Sequence, residues 1–92
     1  MEISVRIPTP LRRLTDGQDK VTVNSTNIKN MVNDLEANFP GMKKRLCDDE
    51  GNLRNFVNVY VNGEDVRFLN GIETSLKNGD EISLVPAVAG GN

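Results

Sequence analysis

The apolar residues of this chain repeat with a period of two in several short segments and with a helical period in only one long segment. Because successive side chains of a β-strand point to opposite faces, alternation of apolar and polar residues predicts strands with one buried face. Asn62-Gly63, which follows one of these segments, is a strong tight-turn signal. We predict strands at residues 2–7, 20–24, 56–61, 66–68 and 81–85.

The helical segment begins after residues 25–27, whose side chains are all suited to N-capping. Pro40-Gly41 ends the helix, and Met42 and Leu46 fit a short extra turn over one edge of the core. We expect Leu76 to fill the core between two later turns. The apolar residues that recur at the spacing of one helix face are Ile28, Met31, Val32, Leu35 and Phe39.

The order of these elements predicts an α+β domain in which one main helix packs on one face of a mixed sheet. The ubiquitin-like β-grasp is the most economical arrangement of that kind, and it places the last strand centrally beside the first. Ninety-two residues suffice for one modest core and no more. We therefore predict a β-grasp domain at residues 1–86 and a flexible C-terminal tail at residues 87–92.

The charge balance argues against nucleic acid and anionic membranes as partners. Eleven basic and thirteen acidic residues give a net charge of −2. We interpret Arg12-Arg13 and Lys43-Lys44-Arg45 as solvated surface, with docking of residues 43–45 on an acidic partner as the alternative. No apolar run resembles a signal peptide or a transmembrane segment. We predict a cytoplasmic protein, in agreement with a single cysteine that cannot form an internal disulfide.

The residue types needed for most catalytic and metal sites are missing. There is no histidine, which excludes histidine-based nucleophilic sites and histidine metal ligands. Basic neighbours could lower the pKa of Cys47, but we interpret this residue as a small apolar filler at the end of a turn. Asp48, Asp49 and Glu50 are consecutive, unlike the spaced ligands of a calcium loop. We expect the chain to be neither an enzyme nor the carrier of a bound metal or cofactor.

The residues after the last strand are the strongest functional signal in the chain. Glycine has no Cβ, so a tail with paired glycines can pass through a channel too narrow for other residues. At about 3.3 Å per extended residue, residues 87–91 carry the Gly91 carbonyl about 17 Å from the strand. A carboxylate delivered in this way is a poor electrophile until it is adenylated with ATP from another protein. The predicted tail after Pro86 consists of Ala87, Val88, Ala89, Gly90, Gly91 and Asn92.

Three motifs together resemble the MoaD/ThiS-type ubiquitin-like sulfur carriers, and the resemblance spans the chain. These motifs are residues 61–66, 74–82 and 84–91. Shorter pieces at residues 7–9, 11–12, 34–38, 56–58, 65–68 and 86–91 are most similar to the CysO type, which carries sulfur for cysteine synthesis. The resemblance implies that Gly91 is adenylated by an E1-like enzyme and converted to a thiocarboxylate.

The resemblance also implies partners that hold the cofactors. In the cysteine branch a PLP-dependent synthase presents an aminoacrylate to the sulfur, and a JAMM-type metalloprotease later releases the cysteine. ATP, PLP and zinc then belong to these partners. Asn92 departs from the pattern, because mature carriers end on the second glycine. We expect Asn92 to be removed before activation, unless it is foreign to the natural protein or the chain does not carry sulfur.

Other functions stay open at this point. The sulfur could go to homocysteine, thiamin thiazole or molybdopterin synthesis. The chain could instead be a ubiquitin-like modifier that is conjugated to lysine amines through Gly91. A third alternative is a non-covalent binding module with a passive tail.

Alternation along residues 56–61 also predicts a docking surface for partners. If the valines of this strand face the helix, Phe56 and Tyr60 face the other way, where Arg6 and Val85 join them. Aromatic residues often anchor protein interfaces, so we predict that these four residues contact partners. The structural alternatives are that the loop at residues 48–53 folds over Phe56 and that Tyr60 lies flat on the sheet.

Overall fold

The computed structural model describes residues 2–86, and the predicted tail at residues 87–92 lies outside them. Three 3-10 helices, at Thr9–Thr15, Val66–Phe68 and Gly71–Glu73, connect the other elements. Within the described residues, no helix is both long enough and apolar enough to cross a bilayer. The strands and α-helices are β1 (Glu2–Arg6), β2 (Lys20–Asn24), α1 (Ile28–Asn38), α2 (Met42–Leu46), β3 (Val57–Val61), β4 (Glu64–Asp65) and β5 (Glu81–Pro86).

The sheet has the strand order β2-β1-β5-β3-β4. Strand β5 lies in the middle, parallel to β1 and antiparallel to β3, whereas β1–β2 and β3–β4 are antiparallel pairs. The predicted central position of the last strand beside the first is therefore confirmed. A mixed sheet with one main helix on it is the ubiquitin-like β-grasp fold predicted from the sequence.

Helix α1 forms where the sequence predicts it. Asn27 is the N-cap residue, and its side-chain oxygen accepts a hydrogen bond of 2.8 Å from the backbone N–H of Asn30. The helix ends at Asn38, one residue before the predicted end. Gly41, with φ of 101°, then starts the short helix α2, as expected for a glycine in the left-handed region.

Alternation along the strands separates a buried face from an open one. The side chains that fill the core between the sheet and α1 are almost fully buried, and Leu76 fills the core as predicted. The core residues on the strands and on α1 are Ile3, Val5, Val21, Val23, Ile28, Met31, Val32, Leu35, Val57, Val59, Val61, Ile82 and Leu84. The alternate residues on the opposite side, such as Thr22, Tyr60 and Ser83, are exposed or half-buried.

The short strand predicted at residues 66–68 is wrong. Val66–Phe68 is a 3-10 helix, and pairing with β3 is limited to Glu64–Asp65. The Asp65 carboxylate accepts a 2.9 Å hydrogen bond from the backbone N–H of Arg67, which turns the chain into the helix. Val66 is buried and Phe68 is 87% exposed, so two apolar residues at alternate positions do not share a face here.

Strand β5 permits a direct test of the two-faced sheet. Ile82 is fully buried, so Ile82→Ala should lower the free energy of unfolding by about 2–5 kcal/mol, through lost burial and the cavity left behind. Ser83 is the next residue and points to the open face, so Ser83→Ala is the matched control and should change stability by less than about 1 kcal/mol. Urea unfolding of both variants measures the difference. Equal losses for the two variants would contradict the assignment of faces.

Candidate functional site

The predicted tail leaves the domain from its central strand. Strand β5 ends at Pro86, whose backbone lies opposite Val57 of β3. Strand β5 pairs with β1 as far as Ser83 and with β3 as far as Pro86, so pairing with β3 holds Pro86 at the end of the central strand. The tail residues named above, including Gly91 and Asn92, lie outside the described residues. The structure therefore places Pro86, which we call the root of the tail. The predicted role of Gly91 stays a prediction.

One row of side chains crosses the open face of the sheet close to this root. Tyr60 lies opposite Ser83, and Ser83 lies opposite Arg6. The row continues to Lys20 on β2 and to Asp65 on β4. It is basic at the β2 edge and acidic at the β4 edge, with the tyrosine between them. Side chains from all five strands of the sheet are thus aligned in register, which is the geometry of a broad contact surface.

The four predicted docking residues all lie on this side of the sheet or at its end. Arg6 is exposed, Phe56 is 52% exposed and Val85 is 40% exposed, whereas Tyr60 is half-buried. The loop at residues 48–53 lies beside Phe56 and leaves about half of its surface open, so the loop does not fold over it. Exposure permits docking, but the docking role itself stays a prediction.

An apolar groove borders the root of the tail. Its volume is about 160 Å³, and its walls come from four separate parts of the chain. Val57 and Leu84, both buried, also line it. Sequence analysis missed this groove, because no local pattern relates segments that meet only after folding. The other residues that line it are Pro8, Pro10, Leu11, Arg45, Phe56, Val85 and Pro86.

Two arginines hold the segment that carries Phe56. The Arg67 guanidinium donates to the backbone carbonyls of Arg54 and Val57, at 2.9 and 2.8 Å. It also donates to the side-chain oxygen of Asn58, at 2.6 Å. The Arg54 guanidinium lies 5.8 Å from the centre of the Phe56 ring, within the range of a cation–π contact. The orientation of Phe56 therefore depends on residues that the sequence analysis did not single out.

Cys47 has the properties of a core residue. Its side chain is buried, and desolvation by burial raises the pKa of the thiol despite the nearby Lys43. A raised pKa keeps the thiol protonated at neutral pH and makes it a poor nucleophile. The interpretation of Cys47 as a small apolar filler is confirmed in its packing.

The acidic residues near Cys47 organise the backbone. The Asp48 carboxylate accepts hydrogen bonds from the backbone N–H groups of Glu50 and Asn52, at 2.9 and 3.0 Å. Glu36 accepts from the N–H groups of Lys43 and Gly41, and these bonds lower the pKa of its carboxyl. Within residues 2–86, acidic and cysteine side chains form no cluster suited to holding a metal ion. These carboxylates stabilise turns and the start of α2.

Comparison with known proteins agrees with this architecture. The chain is 46% identical to the sulfur carrier protein CysO of Mycobacterium tuberculosis, covering 99% of this chain and 100% of the relative. In a crystal structure of the BexX/CysO complex from Amycolatopsis orientalis, the matching chain is 44% identical, with a TM-score of 0.91 and coverage of 97% and 99%. Small archaeal modifier protein 3 of Haloferax volcanii is 34% identical, again covering 99% of this chain and 100% of the relative.

The sequence model of the ThiS family matches residues 5–91, from the first strand to the second glycine of the tail. The match includes both the β-grasp core and the Gly90-Gly91 pair. By sequence and by fold, the chain belongs to the ThiS family of ubiquitin-like sulfur carriers.

Proposed function

We propose that this protein is a sulfur-carrying co-substrate for the synthesis of a sulfur amino acid, cysteine. In this proposal an E1-like enzyme adenylates the Gly91 carboxyl group, and the product is converted to a thiocarboxylate. The observation that carries the proposal is the position of β5: the central strand ends at Pro86, and the chain then continues into small residues and two glycines. The 46% identity to a CysO protein over the full chain supports the choice of cysteine.

The chemistry of the proposal balances without a catalytic group on this chain. The Gly91 carboxylate attacks the α-phosphate of ATP, and pyrophosphate leaves. A sulfide sulfur then attacks the acyl carbon, and AMP leaves with the electron pair of the broken C–O bond. The resulting thiocarboxylate is the nucleophile that delivers sulfur to its acceptor. This protein contributes a carboxyl group on a thin tail, and its partners contribute the ATP site and the acceptor.

A rigid tail root serves this role. Strand β5 is paired with β1 as far as Ser83 and with β3 as far as Pro86, so a partner that docks on the sheet meets Pro86 at the end of a paired strand. Preorganisation of this kind lowers the entropy that is lost on binding. Only the residues after Pro86 then need to adapt to the active-site channel. The same carrier can thus serve several enzymes in turn.

The partners follow from these steps. We propose an E1-like adenylating enzyme with ATP, a PLP-dependent synthase that supplies the sulfur acceptor, and a JAMM-type zinc metalloprotease that releases cysteine. A related CysO chain has been crystallised in complex with BexX, which supports docking of a partner protein on this fold. ATP and reduced sulfur are available in the cytoplasm, where we place the protein.

Conjugation to proteins is the second candidate function. The identity to small archaeal modifier protein 3 favours it, because that relative is named as a modifier. An adenylated Gly91 can react with a lysine amine as well as with sulfide, so both functions need the same first step. The alternatives differ in what attacks the acyl group. Delivery of sulfur to homocysteine, thiamin or molybdopterin synthesis would differ only in the acceptor.

Activation requires a free carboxyl group on Gly91, so the peptide bond to Asn92 must first be cut. We expect the chain that ends at Gly91 to gain sulfur when it is incubated with the adenylating enzyme, ATP and sulfide. The chain that retains Asn92 should gain none without a protease. Mass spectrometry of the two intact products checks this. Equal sulfur incorporation into both chains would contradict activation at Gly91.

Replacement of the reacting glycine tests the idea of a narrow channel. In the chain that ends at residue 91, Gly91→Ala adds a methyl group next to the reacting carbonyl. We expect at least about a tenfold loss in the rate of adenylation, because a Cβ clashes where the channel admits only glycine. Glu73→Ala, at an exposed position in the last 3-10 helix, is the control and should react normally. An unchanged rate for Gly91→Ala would rule out the channel.

Tyr60 is the aromatic residue of the row on the open face, and its substitution tests docking there. We expect Tyr60→Asp to weaken binding to the adenylating enzyme by about tenfold or more, because an interface aromatic is replaced by a charge. The melting temperature should fall by only a few degrees, since Tyr60 is half-buried.

Asn33→Asp, at an exposed position on α1, adds the same charge on the other layer and is the control. Titrations and melting curves separate the two roles of Tyr60. Wild-type affinity of Tyr60→Asp would remove the open face from docking. A large loss of stability would make Tyr60 a core residue instead.

A further inference from the structure

The groove at the root of the tail has the size of a site for one side chain. Sites for small-molecule cofactors have volumes of about 300–1,000 Å³, well above the 160 Å³ found here. An apolar cavity of about 150 Å³ can hold a benzene ring, which approximates the side chain of phenylalanine. The groove is mostly apolar, and it is open to solvent beside the exposed Phe56 and Val85. It therefore fits one large apolar side chain of a binding partner.

The walls of the groove are fixed before any partner binds. Pro8 and Pro10 have a constrained backbone, and the carbonyl of Pro8 accepts a 2.9 Å hydrogen bond from the N–H of Leu11. Arg12 donates from Nε to the carbonyl of Ile7 at 3.0 Å, which ties this segment to the end of β1. On the other wall, the arginine contacts described above hold the segment of Phe56. Little conformational entropy is lost when such a site is filled.

The charge around the groove is opposite in sign to that of the whole protein. The net charge is −2, yet among residues 2–86 the only charged residue that lines the groove is Arg45. Between Ile3 and Thr15, the segment that supplies one wall carries three arginines and no carboxylate. Helix α2 adds Lys43 and Lys44 next to Arg45. Charge complementarity thus selects a partner with a carboxylate at the rim of the groove.

We propose that this groove anchors the adenylating enzyme through one large apolar side chain, flanked by a carboxylate that pairs with Arg45. The inference rests on the proposed function, and it adds the chemistry of the partner surface. Pro86 itself lines the groove, so an enzyme that binds the residues directly after Pro86 comes close to it. The basic segment at residues 43–45, which sequence analysis interprets as solvated surface, acquires a role through the contact of Arg45 with the groove.

Two variants separate the apolar and the charged contributions of the groove to binding of the adenylating enzyme. Phe56→Ala removes one wall of the groove, and Arg45→Glu reverses the charge at its rim. In this proposal both residues serve docking and neither takes part in the chemical step, so both variants should raise the KM for the carrier about tenfold and leave kcat unchanged. Arg45→Glu should mainly slow association, and this defect should shrink as the salt concentration rises. Phe56→Ala should mainly speed dissociation, and this defect should persist at high salt.

The control is Lys77→Glu, which makes the same charge change before β5 begins, at the opposite end of that strand from Pro86. The adenylating enzyme of the same organism is titrated with each chain ending at Gly91, at low and high salt, and melting curves verify that the variants fold. Lys77→Glu should keep the wild-type KM. The groove proposal is overturned if Arg45→Glu matches Lys77→Glu in KM and in salt dependence, or if Phe56→Ala binds normally.

The groove proposal and the proposed function fail in different ways. If the wild-type chain ending at Gly91 forms no adenylate with the enzyme and ATP, the sulfur-carrier function is wrong, and the assignment of this enzyme to the groove fails with it. If the wild-type chain is adenylated and the groove variants have its KM, only the groove proposal is wrong.

Discussion

The pairing of β5 with two neighbours is the constraint on which the other features depend. Its parallel ladder with β1 joins the two ends of the chain, and its antiparallel ladder with β3 joins it to the edge that carries β4. Ile82 and Leu84 on one face of β5 fill the core under α1. On the other face, Ser83 and Val85 lie within the open surface. One strand thus holds the core, the open face and the root of the tail in a single geometry.

Because side chains along a strand alternate with a period of two, the core and the open face depend on the same strand register. A slip of one residue in the β3–β5 register would move Tyr60 into the core and Val59 into solvent, so core packing enforces the order of the open face. The same register brings Val85 opposite Asn58, next to Phe56 at the rim of the groove. Core packing and the order of the open face are therefore encoded by alternate residues of the same strands. In the docking role proposed for the open face, substitutions there change partner binding at little cost in stability.

Periodicity and local caps account for what the sequence predicts well. The helix at Ile28–Asn38 has both an apolar face and an N-cap, and Val57, Val59 and Val61 alternate without interruption. Val66 and Phe68 mimic such alternation over too few residues, and the Asp65 carboxylate decides the local structure instead. Nor does any pattern reveal the 3-10 helix at Thr9–Thr15. The groove is missed for a different reason, since Leu11, Arg45 and Phe56 meet only through tertiary packing.

The central claim is that Gly91 carries sulfur, and the most direct test is the chemical state of the protein in its own cells. The protein would be isolated under conditions that preserve thiocarboxylates, and its C-terminal peptide would be sequenced by tandem mass spectrometry. A sulfur-carrier function predicts a chain that ends at Gly91, with a fraction of its terminal carboxyl oxygen replaced by sulfur or its carboxyl group joined to cysteine. Gly91 found only in isopeptide bonds to protein lysines, or still joined to Asn92, would contradict that function.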